Sequence, residues 1–247
     1  MTYWERKGKL FRYTEGARQF FPLAQEQLET IARIIDKYNP AIKNFLDLGC
    51  GDGYIGNFIY DLYPDSSGVF LDISHEMINK AKGRNFNKST EFIVKDFGCA
   101  EWASSIRSTG EFDLIISGYA IHHLENVEKK RLFHDIYNLL RPNGIFLNLE
   151  HVASPSDKIR ELFSELFDDR MMDYQNHIGE PKTKEEINDL YNDPKHKKLN
   201  RLESVEKQCA WLRDIGFVEV DCFMKIFELA LFGGVKPVHA LNSQDQG

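Results

Sequence analysis

At 247 residues with 42% hydrophobic and 28% charged content, the chain reads as an ordinary globular protein with one sizeable core and a smaller appended region. The formal net charge of −7 disfavours a nucleic-acid partner, whose phosphates call for a concentrated cationic face. Four scattered cysteines without CxxC spacing argue against structural zinc and for a reducing compartment, and no apolar run approaches the ~18 residues of a membrane helix, so a cytoplasmic protein is expected.

Taken in chain order, Leu28, Ile31, Ala32 and Ile35 recur at helical spacing until Asn39-Pro40 stops the helix. A short apolar strand, Phe45–Leu48, runs into Gly49-Cys50-Gly51-Asp52-Gly53, and a helix carrying Ile55, Phe58, Ile59 and Leu62 follows at once. Val69–Asp72 reads as a second strand. Ser74 is an expected N-cap for a helix with Met77, Ile78 and Ala81. Phe92–Val94 and Phe112–Ser117 are the third and fourth strands. Leu132, Phe133, Ile136, Leu139 and Leu140 mark a helix closed by an Arg141-Pro142-Asn143-Gly144 turn, and Ile145–Leu149 is the fifth strand. Strands alternating with helices imply an open, mostly parallel sheet covered on both faces. Beyond Glu150, Ser154-Pro155 opens a helix with Ile159, Leu162, Phe163, Leu166 and Phe167 on its apolar face. A polar stretch from Asp168 to Arg201 and a helix through Val205, Cys209 and Leu212, ended by Gly216, follow. Phe217–Phe223 and Phe227–Phe232 fit an antiparallel pair at the sheet edge.

A glycine turn between strand and helix lets the backbone approach a ligand closely, because no Cβ intervenes. The string Gly51-x-Gly53-x-x-Gly56, with Asp72 about 20 residues on, satisfies the dinucleotide fingerprint as well, so spacing leaves the cofactor open. Asp47, Asp72 and Asp96 sit inside or at the ends of successive strands, where carboxylates would accept from hydroxyl, amino or ammonium donors. Asp96 also has a reading as a helix cap or turn former, and Met77 one as core packing.

Leu46-Asp47-Leu48-Gly49-Cys50-Gly51-Asp52-Gly53 resembles the first motif of class I S-adenosylmethionine-dependent methyltransferases. Leu71-Asp72-Ile73-Ser74, Lys95-Asp96-Phe97, Phe112–Ser117 and Leu140–Ile145 are similar to that family's further segments, in order. Leu231–Pro237 is similar to a frequent ending among its small-molecule members. The resemblance covers roughly residues 41 to 236. It implies a doubly wound, mostly parallel, seven-stranded Rossmann-like α/β sheet with an antiparallel last strand, an N-terminal helical lid and a helical cap. Residues 1–40 would be the lid segment, with Tyr13, Phe20 and Phe21 folding over the cofactor or packing as an ordinary helix face. Residues 41–237 would be the methyltransferase domain with a cap inserted at about 152–203, and 238–247 a tail.

Carried over by that resemblance, S-adenosyl-L-methionine is the cofactor, with Gly49 and Gly51 beside its methionine part and Asp47 attracting its ammonium. Asp72 would accept from the ribose hydroxyls, and Asp96 from the adenine amino group, with the Phe97 backbone reading the ring. Met77 would lie on the adenine face. Cys50, Ile73 and Ser117 complete the expected cofactor residues. Reacting groups gather beyond the carboxyl ends of parallel strands. That makes His123, His122, His151 and Glu150 the candidates for general base, and Tyr119 a wall or orienting hydroxyl. Histidines there can also simply support the pocket. Lys195, Lys197 and Lys198 would meet an anionic substrate or form a solvated loop.

The expected partner is a small-molecule methyl acceptor, with neither nucleic acid nor membrane involved. Three rivals stand beside this reading. One is a nicotinamide oxidoreductase on the same loop, which would not call for Asp47 or Asp96. Another is a carboxy-S-adenosylmethionine synthase-like enzyme, which places an arginine where this chain has Trp211, with Arg213 nearby. The third is a non-catalytic module that binds S-adenosylmethionine.

Overall fold

The protein is described by a computed structural model over residues 22–39, 41–84, 89–191 and 200–238. Its strands are β1 (Asn44–Leu48), β2 (Ser67–Asp72), β3 (Thr90–Val94), β4 (Phe112–Gly118), β5 (Leu140–His151), β6 (Val218–Ile226) and β7 (Leu229–Val235). They form one seven-stranded sheet in the order β3-β2-β1-β4-β5-β7-β6. β7 runs antiparallel to both β5 and β6, while β1 to β5 are mutually parallel. The expected sheet is therefore observed, with one refinement: β7 lies inside the sheet, and β6 forms the edge.

The helices are α1 (Ala24–Tyr38), α2 (Tyr54–Leu62), α3 (His75–Lys82), α4 (Asn126–Leu139), α5 (Asp157–His177), α6 (Lys184–Tyr191) and α7 (Val205–Ile215). α1, α2 and α3 cover one face of the sheet, burying Leu28, Ile31, Ile35, Phe58, Ile59 and Ile78. α4 and α7 cover the other, with Trp102, Phe133, Ile136 and Leu212. Because both faces are covered, β1 reads from Phe45 as an apolar run broken only by Asp47, and its residues alternate in destination. Phe45 packs on the α1–α3 side and Leu46 on the α4–α7 side. Rings of Phe45, Tyr60 and Phe70 meet at 4.9 to 6.0 Å between centroids and lock α2 onto β1 and β2.

Four local readings change. The Arg141–Gly144 turn lies within β5, where the pairing with β4 jumps from Leu140 opposite Phe112 to Ile145 opposite Leu114. Asn143 takes the bend at a φ of +64°. Helix α5 starts after Ser156, whose hydroxyl accepts from the Ile159 N–H at 3.4 Å, two residues beyond the expected opening. Of its expected apolar stripe only Phe163 is fully buried. Leu162 is exposed, and Asp168, Met171 and Gln175 are buried instead. The expected polar stretch after Asp168 is helical for much of its length, in α5 and α6. Tyr13, Phe20, Phe21, Lys195, Lys197 and Lys198 lie outside the described residues.

Candidate functional site

β1 ends at Leu48, and the chain then turns through Gly49, Gly51 and Gly53 at φ values of +71°, +54° and +78°. Alternate residues in the left-handed region demand glycine. Gly49 has a second reason: a Cβ there would stand 2.3 Å from the Cβ of Ala120. A Cβ on Gly51 would meet nothing within 4 Å, so the backbone is bared at that point. The N–H groups of Gly49 and Cys50 both donate to the Leu71 carbonyl, at 2.7 and 3.0 Å, which ties the loop to β2.

The acids around this loop are built into it. Gly53 precedes α2 and has no side chain to cap the helix. Asp47 in β1 supplies the acceptor instead, its Oδ2 receiving the Gly56 N–H at 2.8 Å. Asp72 ends β2 with both oxygens engaged. Oδ2 accepts from the Gly51 N–H and Oδ1 from the Ser74 N–H, each at 2.8 Å. A carboxylate has about four lone-pair sites, so two backbone donors fix Asp72 without exhausting it. Asp96 follows β3 in the same style, with Oδ1 accepting from the Gly98 N–H at 2.7 Å. Cys50 is buried beside these groups, and burial, reinforced by Asp47 and Asp72, pushes its thiol far above the usual range.

Beyond β4 the chain makes a strained step. Tyr119 sits at a φ of +54°, with its N–H donating to the Leu149 carbonyl at 2.7 Å and its hydroxyl to Gln27 Oε1 at 3.3 Å. A short 3₁₀ turn, Ile121–His123, then carries the two neighbouring histidines. Glu150, fully buried at the end of β5, accepts from His122 Nδ1 at 2.6 Å, from the His122 backbone N–H at 3.0 Å and from the His151 backbone N–H at 2.7 Å. His151 Nε2 lies 2.7 Å from Glu228 Oε2 in the β6–β7 turn. Because an ionised carboxylate only accepts, the pairings call for the proton on Nδ1 in His122 and on Nε2 in His151. The rings of His122 and His123 lie 4.0 Å apart between centroids, and those of His122 and His151 5.7 Å. Lys129 is buried below, donates to the Arg201 carbonyl, and has its ammonium pKa lowered by burial against the opposing pull of Glu150.

These segments enclose a cleft of about 640 Å³ at the carboxyl ends of β1, β2 and β4, where an open parallel sheet binds its ligands. Asp47, Gly49, Cys50, Gly51, Asp72, Ile73, Met77, Asp96 and Phe97 line it, together with Tyr119 and His123. Four of the sequence-selected residues do not. The Ser117 hydroxyl is buried and donates to the Leu48 carbonyl at 2.7 Å, stitching β4 to β1. His122, Glu150 and His151 stand behind the wall that His123 presents.

Sequence reasoning passed over Ile55, Gly118, Ala120 and Leu124, which complete the wall, and Asp52 and Lys80, which add charge. Asp52 was in view within the glycine loop, and Lys80 stands three residues after Met77 on the same helix face. Four carboxylates against one lysine make the lining acidic. Among the described residues no group of three or more His, Cys, Asp or Glu could hold a metal, and no helix is long and apolar enough to cross a membrane.

The methyltransferase-domain family matches residues 45–144, which spans the glycine loop, all three acids and the β4 histidines. The malonyl-[acyl-carrier protein] O-methyltransferase 2 of Ilyobacter polytropus is 28% identical over 183 residues, covering 72% of this chain and 67% of that protein. The carboxy-S-adenosyl-L-methionine synthase of Campylobacter concisus is 26% identical over 140 residues, with 56% of this chain and 57% of that protein covered. The chain thus spans between about half and two thirds of these relatives. Among solved structures, an O-methyltransferase family protein from Burkholderia thailandensis superposes with a TM-score of 0.57 at 15% identity, over 95% of this chain and 68% of its own, a likeness of fold.

Proposed function

We propose, for a chain that belongs to the class I S-adenosylmethionine-dependent methyltransferase family, that it transfers the methyl group of that cofactor to a small-molecule acceptor at the Tyr119–His123 end of the cleft. One observation carries the reading: the Asp72 carboxylate is fixed by the Gly51 and Ser74 N–H groups in the same cleft that the bared glycine backbone lines. The donor set fits the cofactor. Asp72 has acceptor capacity for ribose hydroxyls and Asp96 for an adenine amino group. The Phe97 backbone, Ile73 and Met77 would flank the base, with Gly49 and Gly51 beside the methionine part. Asp47 and the acidic lining suit a ligand that carries both an ammonium and a sulfonium.

When bound, the cofactor supplies a methyl carbon made electrophilic by its positive sulfur. The chain's own part is to hold an acceptor atom in line with that carbon, keep water away and, for an acceptor bearing a proton, remove it. Of the four candidate bases His123 alone lines the cleft, so His123 takes the role of base, and Tyr119, which lines it too, that of an orienting wall. His122, held by Glu150, supports His123 from behind.

Carboxy-S-adenosylmethionine synthesis is the second reading, raised by the Campylobacter concisus relative. Trp211 is buried on α7 beneath the ammonium groups of Lys130 and Lys207, and Arg213 donates to the Val220 carbonyl at 2.7 Å. Neither lines the cleft among the described residues, so neither supplies a carboxylate clamp there.

Calorimetry with S-adenosylmethionine and with NADH, followed by mass detection of methylated product over an acceptor panel that includes a malonyl thioester, tests the proposal. Binding of NADH alone would discard it, and a carboxylated nucleoside co-purifying with the protein would favour the second reading.

A further inference from the structure

Arg84 stands outside the cleft lining, two residues beyond the end of α3. Its N–H donates to the Ala81 carbonyl at 2.9 Å, so its backbone is an extension of that helix. Its guanidinium reaches Asp52 at two points: Nε donates to the Asp52 carbonyl at 2.7 Å and Nη2 to Asp52 Oδ2 at 2.5 Å. One planar fork thereby grips main chain and side chain of the same loop residue, a geometry that a lysine cannot reproduce.

The position of that grip matters. α3 contributes Met77 and Lys80 to one wall of the cleft, and the loop contributes Gly49 to Asp52 to another. The backbone and Asp72 contacts described above tie the loop to β2; Arg84 ties it to α3. A partly exposed ion pair adds little to stability by itself. Its two-point geometry instead fixes Asp52, the residue next to the bared Gly51. It also sets a guanidinium against one of the four carboxylates that line the cleft.

We propose that Arg84 is a positioning residue for the cofactor loop and acts through Asp52, holding the two walls of the cleft at the spacing the nucleoside needs. The proposal rests on the reading of the cleft as the S-adenosylmethionine site. It has an electrostatic corollary. S-adenosylhomocysteine carries one positive charge fewer than S-adenosylmethionine. Deleting Arg84 removes one positive charge from beside the cleft-lining Asp52 carboxylate, which favours the more cationic ligand and offsets part of the damage for it alone.

The test is calorimetric binding of S-adenosylhomocysteine and S-adenosylmethionine to wild type, R84A, R84K, D52A and the D52A/R84A double variant, with thermal unfolding of each unliganded protein. R84A is expected to weaken S-adenosylhomocysteine about tenfold and S-adenosylmethionine about threefold, with the unliganded melting temperature little changed. R84K restores the wild-type ratio between the two ligands, because the charge returns, but only part of the affinity. In the D52A background, R84A adds no more than about twofold, the non-additivity of residues acting as a unit. Equal losses from R84A with and without Asp52, or R84A affinities within twofold of wild type, overturn the proposal alone. A wild-type protein that binds neither nucleoside overturns the site reading and the proposal together.

Discussion

Replacing Asp72 by alanine separates the roles this residue combines. In the structure its carboxylate accepts two backbone N–H groups at 2.8 Å and presents its remaining lone pairs to the cleft. Hydrogen bonds to a charged group are worth about 1.5–3 kcal/mol each. Loss of one net ligand bond of that kind weakens S-adenosylmethionine by about 10- to 150-fold, at 1.4 kcal/mol per factor of ten. The release of Gly51 adds to this, since the loop then orders on binding. The fold suffers less: Asp72 is only half-buried, so water replaces the carboxylate at both backbone donors. A loss of about 1 kcal/mol lowers the melting temperature by roughly 2–4 °C in a domain of this size. Calorimetry against S-adenosylmethionine, paired with a melt of the unliganded protein, reads both numbers. An affinity within twofold of wild type beside a lowered melting temperature would refute the reasoning, because Asp72 would then be a loop brace only.

The remaining expectations divide between loop, core and thiol. G49A forces a Cβ to 2.3 Å from Ala120 at a φ of +71°, so S-adenosylmethionine binding is lost by calorimetry; G51A meets only open space, and its backbone strain costs about 1–3 kcal/mol by urea denaturation. E150A strands the His122 ring and two backbone N–H groups in a fully buried place and costs about 3–5 kcal/mol in the same assay. E228A costs less than E150A, since Glu228 gives its side chain one partner and its Oε1 is buried without one among the described residues. Alkylation with iodoacetamide at about pH 8 labels the exposed Cys99 and spares Cys50, whose raised pKa keeps it protonated until far more alkaline solution; mass spectrometry of the digest reads both sites.

The sheet was legible because strands buried on both faces write themselves as apolar runs, as in Phe45–Leu48 and Phe112–Ser117, and because glycine or proline punctuates them. The acids were legible for a related reason: each stands at or beside the end of a strand, where the fold delivers it to the cleft. Side-chain choices made by long-range contacts were not. Nothing local distinguishes His122 from His123; which ring turns inward depends on Glu150, 28 residues on. His151 is claimed by Glu228 from 77 residues away, through a hairpin turn. Arg84 reaches Asp52 across 32 residues with no periodicity to announce it. On α5 the helical stripe named the wrong face, because the burial of Asp168 and Gln175 is set by what packs on the helix and not by its own hydropathy.

Asp47, Asp72 and Asp96 each accept a backbone N–H while lining the cleft, so the loop's shape and its ligand chemistry share one hydrogen-bond network. Such a network alone would serve a module that only binds the cofactor. Tyr119 argues for more. A tyrosine held at a φ of +54° stores about 1–3 kcal/mol of backbone strain, tolerated only where neighbours over-determine it. Here the Leu149 carbonyl holds its N–H and Gln27 its hydroxyl, drawing on β5 and α1 to place one ring beside His123 at the cleft wall. In the proposed reading the nucleoside would take the opposite end of the cleft, which gains nothing from that strain. Positive φ alone decides nothing, since Asn143 at +64° and Glu219 at +52° lie away from the cleft. What favours transfer over binding in the proposed reading is that two elements fix the Tyr119 ring at the end of the cleft where acceptor and methyl carbon would meet.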